Sequence, residues 1–110
     1  MKQSDILIRV ELDERHHPAN IHWQVQDSDI AGMNACKSIM LSIFDSAEKG
    51  TLRIDLWTRE MTVNEMQQFM YETMQSMAST YQKATGDKSP ADKIRQMAIE
   101  FGKETGLLAT

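Results

Sequence analysis

Residues 35–47 read Ala-Cys-Lys-Ser-Ile-Met-Leu-Ser-Ile-Phe-Asp-Ser-Ala, and the assignment of this stretch decides the fold. Cys36, Ile39, Met40, Ile43 and Ala47 recur at the spacing of one helical face, with Phe44 at its edge. The expectation is therefore a helix from Ala35 to Ala47. Glu48-Lys49-Gly50 would end it, the glycine being suited to a left-handed cap. Leu41 falls off the stripe and would touch a neighbouring helix or a second copy of the chain.

Upstream, Asp5 to Leu12 alternates. Ile6, Ile8, Val10 and Leu12 face one way, Leu7, Arg9 and Glu11 the other, which predicts a half-buried strand. The polar run from Asp13 to Asn20 contains Pro18 and reads as a loop. A second alternation sets Ile21, Trp23 and Val25 against His22, Gln24 and Gln26, so the two runs predict a long hairpin. Asp27 to Asn34 is a polar connection containing Gly32.

Downstream, Thr51 to Thr58 is a third strand, with Leu52, Ile54 and Leu56 opposed to Arg53, Asp55 and Trp57. Thr62-Val63-Asn64-Glu65 has the form of a capping box, and Met61 and Met66 stand where a hydrophobic staple would sit. Met66, Phe69, Met70, Met74, Met77 and Tyr81 then form one apolar stripe, ending near Gly86. Ser89-Pro90 predicts a last helix with serine as N-cap and proline in the first helical position. Its expected buried face is Ile94, Met97, Ala98 and Phe101, with Ile99 off the stripe and Gly106 as the stop.

The predicted order is strand, strand, helix, strand, helix, helix. A helical crossover between the second and third strands makes those two parallel. The fold class expected is α+β over residues 1–110 as a single domain: a three-stranded, mainly antiparallel sheet with strand one in the middle and three helices packed on one face.

Composition narrows the function classes. A hydrophobic content of 41% with 25% charged residues predicts a folded domain. The net charge of −4 and scattered lysines and arginines argue against binding nucleic acid. No apolar run has the length of a signal peptide core or a membrane span, and the lone Cys36 suits a reducing compartment, so the expected location is the cytoplasm without membrane insertion.

His16, His17 and His22 lie near Asp13 and Glu14, but adjacent histidines diverge, so a solvated loop is expected rather than a metal site. Cys36 sits on the apolar stripe of its predicted helix and reads as a small buried hydrophobe rather than a nucleophile. No nucleophile elbow, phosphate-binding glycine loop or dinucleotide fingerprint occurs, and carboxylates such as Asp27, Asp29, Asp45 and Asp55 would act as a catalytic pair only where burial or a neighbour shifts one of them. The expectation is no catalytic residue, no cofactor and no enzymatic activity.

Two surfaces invite a partner. The stripe containing Met66, Met70, Met74 and Met77 is either the core face of its helix or an adaptable peptide-binding surface. The sheet face left open by the helices would carry Leu7, Arg9, Glu11, His22, Gln24, Gln26, Arg53, Asp55 and Trp57. Tryptophan and arginine are favoured at interface hot spots, so Arg53, Asp55 and Trp57, with Leu7 and Arg9, are the expected partner-binding residues. Alternatively, Trp57 folds back onto Met61 or the chain after it.

Ile43-Phe44-Asp45-Ser46, Thr51-Leu52-Arg53-Ile54-Asp55-Leu56-Trp57-Thr58, Met61 and the closing Ala84-Thr85-Gly86 carry a resemblance. Together with Ile8-Arg9-Val10-Glu11-Leu12-Asp13-Glu14 and Ile21-His22-Trp23, the chain resembles the gliding motility protein GldC family. The resemblance implies a cytoplasmic accessory protein of bacterial gliding motility, in systems where gliding is tied to a dedicated protein-secretion machine. Its partner would be a protein of the gliding or secretion machinery, and self-association as a homo-oligomer is also considered. The family brings no activity, cofactor or catalytic set. Three readings follow: an interaction module, a chaperone-like peptide binder using the methionine-rich helix, and a small-molecule enzyme of unknown type.

Overall fold

A computed structural model describes residues 1–27 and 29–109; Ser28, within the predicted polar connection, and Thr110 lie outside the described residues. The order is β1 (Ile6–Leu12), β2 (Pro18–Val25), β3 (Asn34–Cys36), β4 (Ser38–Phe44), β5 (Thr51–Trp57), α1 (Val63–Thr85) and α2 (Lys88–Glu104). The class is α+β with antiparallel sheets, as expected. The arrangement within the class is not: among the described residues five strands form two sheets, and there are two helices rather than three.

The correction falls on residues 35–47. They form the end of β3, all of β4 and the start of a turn, with no helix. Ser38, Met40, Ser42 and Phe44 alternate with Ile39, Leu41 and Ile43, a period of two that β-branched isoleucines favour. Leu41 is off the helical stripe because it belongs to this alternation. The strand then turns through Asp45, whose Oδ2 accepts from the N–H groups of Ala47 (3.0 Å) and Glu48 (2.8 Å). The left-handed position is Lys49 (φ 51°), not the expected Gly50. β5 returns antiparallel beside β4, so among the described residues there is no helical crossover and no parallel strand pair.

The chain divides into two compact units, Met1–Met61 and a second beginning at Thr62. In the first, the sheet order is β1-β2-β3, so β2 rather than β1 is central. The alternations of β1 and β2 pair as read: Ile8 faces Trp23, and Val10 faces Ile21. Ile21 is covered by neighbours on both sides, Cys36 lying across from it on β3, and it is 1% exposed. The hairpin loop is shorter than expected because β2 begins at Pro18, a strand-start position where the missing N–H does no harm. Asp13 organises that loop, its Oδ1 accepting from the N–H groups of Arg15 (2.8 Å) and His17 (2.9 Å).

The second sheet is the β4–β5 hairpin alone. Thr58 fastens its open end: both its N–H (2.9 Å) and its hydroxyl (3.3 Å) donate to the carbonyl of Lys37, between β3 and β4. Thr58 is 4% exposed, so its polar groups must be paired, and they are.

In the second unit, α1 starts at the expected capping box. The Glu65 N–H donates to the Thr62 hydroxyl (3.1 Å), and the Thr62 N–H donates to Glu65 Oε1 (2.9 Å). It ends at Gly86, left-handed at φ 74°. The N-cap of α2 is Asp87, two residues before the expected Ser89; Ser89 is inside the helix, and Pro90 is accommodated because first-turn N–H groups have no intrahelical acceptor. The helix pair is sealed by small residues: Ala78, Ala91, Ala98 and Gly102 are its buried positions. Met97, expected in the buried face, lies beside this seam and is exposed. Met66, Phe69, Met70 and Met74 are half-buried, while Met77 and Tyr81 are exposed.

Candidate interaction surface

The β4–β5 hairpin has two faces of different chemistry. Directly opposed residues share a face, so Ile39, Leu41 and Ile43 stand with Leu56, Ile54 and Leu52 on a wholly aliphatic side. The other side carries Ser38, Met40, Ser42 and Phe44 with Trp57, Asp55, Arg53 and Thr51. The alternation read along β5 is therefore correct, with Arg53, Asp55 and Trp57 together on one face.

That face is ordered by a small network. Arg53 donates through Nε (3.2 Å) and Nη2 (3.0 Å) to the two oxygens of Asp55, and through Nη1 (2.8 Å) to the hydroxyl of Ser42 across the hairpin. The two-point contact fixes the guanidinium plane, a geometry that lysine could not reproduce. Trp57, next on the same face, is 60% exposed and does not fold back into cover.

Beside Trp57 lies an open cleft of about 440 Å³ lined by His17, Pro18, Asp55, Leu56, Trp57 and Arg59. Its far wall is the first hairpin loop, held near β5 by Arg59. The Arg59 Nη2 stands 3.5 Å from Asp13 Oδ2 and 3.4 Å from His17 Nδ1. The His17 N–H donated to Asp13, then that of Arg15, together with the charges of His17 and Arg59, hold the Asp13 carboxyl below its ordinary range despite some desolvation.

Leu7 and Arg9, expected on the same open face, are not brought there. Both lie on β1 in the other sheet, opposite Gln24 and His22. A single open face would require β1 and β5 to share a sheet, and they do not. Ser42, His17, Pro18 and Arg59 were not singled out for this surface. Ser42 was legible only by treating 38–44 as a strand, which puts it opposite Arg53; the contribution of the loop has no local signature.

The remaining candidates are placed as follows. Cys36 is on β3, half-buried, and burial pushes its thiol up from the ordinary value, which disfavours the reactive thiolate. Among the described residues, no group of three or more histidines, cysteines or carboxylates is placed to hold a metal ion. Also among them, no helix is long and apolar enough to cross a membrane.

No curated protein and no solved structure matches the chain. A family model does, described as gliding motility-associated protein GldC-like and matching residues 18–107. That match runs from β2 through the β4–β5 hairpin with its Trp57 face and across both helices, and with it the chain belongs to the GldC-like family of gliding motility-associated proteins.

Proposed function

We propose that the chain serves gliding motility as a cytoplasmic accessory protein that binds a component of the gliding or secretion machinery, through the hairpin face bearing Arg53, Asp55 and Trp57. The observation that carries the reading is the exposed Trp57 beside an Arg53 already fixed to Asp55 and Ser42. A partner covering that face gains the desolvation of a large aromatic ring, while the guanidinium has little freedom left to lose. The family description names motility and no reaction, which supports placing binding ahead of catalysis.

The test is a Trp57→Ala substitution in the gliding organism. The purified variant should lose less than about 1 kcal/mol of stability, the scale for an exposed side chain. It should lose about 2 kcal/mol of affinity for whichever partner the unaltered protein captures, as a hot spot does, and gliding should fail with it. Normal gliding at a normal protein level would refute the assignment of this face.

A second reading has one observation in its favour. Met77 is 54% exposed, so the methionine stripe is not fully committed to the helix pair's own seam. An adaptable, peptide-binding role for α1 predicts that Met77→Ala keeps its stability and loses affinity for unfolded peptides. Equal affinity in both proteins would remove it.

A further inference from the structure

The open edge of β5 carries a pattern that is complementary to itself. Among the described residues β5 pairs only with β4, and a sheet of two strands is marginal without a further strand or a covering layer. The phase of its hydrogen bonding is fixed at both ends: the Thr58 N–H donates to the Lys37 carbonyl (2.9 Å), and the Asp45 N–H donates to the Gly50 carbonyl (2.9 Å). In an antiparallel ladder the bonded pairs recur every second residue, so Ile39 with Leu56, Leu41 with Ile54, and Ile43 with Leu52 are the bonded pairs. Thr51, Arg53, Asp55 and Trp57 therefore aim their N–H and C=O groups outward, and all four residues are exposed.

We infer that β5 pairs antiparallel with β5 of a second copy about a two-fold axis through Ile54, making a four-stranded sheet β4-β5-β5-β4. The outward groups can only bond to their like, which allows three central registers. With the axis at Arg53 the guanidinium faces its own copy; with the axis at Asp55 two carboxylates meet. With the axis at Ile54, Arg53 faces Asp55 of the second copy and Asp55 faces Arg53, while Thr51 and Trp57 complete the ladder. Charge complementarity thus selects one register. On the reverse face Leu52 meets Leu56, and Ile54 meets Ile54, extending the aliphatic surface without a break.

The other edges lack this combination. β1 is interrupted by a register shift between Glu11 and Leu12, a feature that discourages edge pairing. β3 has three residues and no charged side chain, and β4 carries none from Ser38 to Phe44, so nothing on either fixes a register. The inference does not depend on the motility reading, because the Trp57 side chain stands on the sheet face rather than at its edge.

Sedimentation of the purified chain should give the mass of two copies. Arg53→Glu sets like charges opposite each other twice and should weaken the dimer by roughly tenfold or more, whereas Arg53→Glu combined with Asp55→Arg should restore it. Cysteine crosslinking reads the register, in a Cys36→Ser background that leaves only the introduced thiol. At the axis the two Ile54 positions form a non-bonded pair with Cα atoms about 4.5 Å apart, within disulfide reach. Ile54→Cys should therefore crosslink on mild oxidation, and Arg53→Cys and Asp55→Cys should not. A monomer at all concentrations, failure of the double charge swap to restore the dimer, or faster crosslinking through 53 or 55 would each overturn the proposal.

Discussion

The strand-built unit ending at Met61 and the helical unit beginning at Thr62 reach order by different means. The first buries one large side chain, Ile21, in the middle of its three-stranded sheet, and otherwise relies on backbone fastening such as Thr58 on Lys37. Among the described residues the second buries no large side chain: its seam is Ala78, Ala91, Ala98 and Gly102, where small residues let the two helices approach closely. Burial in the first is concentrated, so one position should matter greatly. In the second it is spread, and adding atoms should cost as surely as removing them.

The largest effect expected from this contrast is at Ile21. Its truncation to alanine should cost about 2–5 kcal/mol by denaturant unfolding, whereas Ile43→Ala on the exposed hairpin should cost less than about 1 kcal/mol. Equal losses would mean that burial is not concentrated as described. Next, Thr62→Ala should remove about 1 kcal/mol, because the Glu65 N–H loses its acceptor at the start of α1. An unchanged unfolding midpoint would show that the helical unit does not depend on its cap.

Gly102 sharpens the comparison from the other side. A Cβ there would meet Leu108 Cδ1 at 2.7 Å, Leu108 Cγ at 2.8 Å and Tyr71 Cε1 at 3.3 Å. Overpacking should outweigh the gain in helix propensity, giving Gly102→Ala a net loss of somewhat under about 1 kcal/mol. In a Leu108→Ala background the sign should reverse, since the obstructing side chain is gone and the propensity gain remains. A loss in both backgrounds would place the obstruction at Tyr71 instead.

The smallest effect concerns Asp13. Its carboxyl is held below the ordinary range in the folded chain, so it contributes stability above the ordinary aspartate value of about 3.9 and loses that contribution as pH falls through the folded value. Stability of the native chain should therefore fall more steeply with acid in that window than stability of Asp13→Asn. Parallel curves would show that the loop carboxylate is not coupled to folding.

The helical unit was largely legible because its signals are local. Thr62 and Glu65 are three residues apart, and Gly86 supplies its own left-handed conformation. β1 and β2 were legible for a related reason, since Ile6 to Val10 and Ile21 to Val25 alternate without ambiguity, whereas the three residues of β3 are too few to show a period. Residues 35–47 satisfy two periods at once. Ile39, Ile43 and Ala47 fit a helix, and Ile39, Leu41 and Ile43 fit a strand. Only pairing with Thr51–Trp57, a long-range relation, decides between them. That error carried into the candidate surface: Arg53, Asp55 and Trp57 share the expected face, but Leu7 and Arg9 were grouped with them through a sheet that does not form. The expected N-cap at Ser89 missed for a smaller reason, because proline is tolerated throughout the first turn and does not mark its first residue.

The double hydrogen bond from Thr58 to Lys37 also bears on how the second hairpin opens. A free hairpin is held by its turn and loosens at its chain ends. Here the chain ends are the fastened part, since the buried Thr58 donates twice to the Lys37 carbonyl where the strands leave the sheet, while Phe44 and Thr51 at the turn are exposed. Amide hydrogen exchange should therefore slow along β5 toward Thr58 rather than toward Gly50. In a single unpaired copy the hairpin would then breathe from its tip, with the edge from Thr51 to Asp55 opening before Trp57.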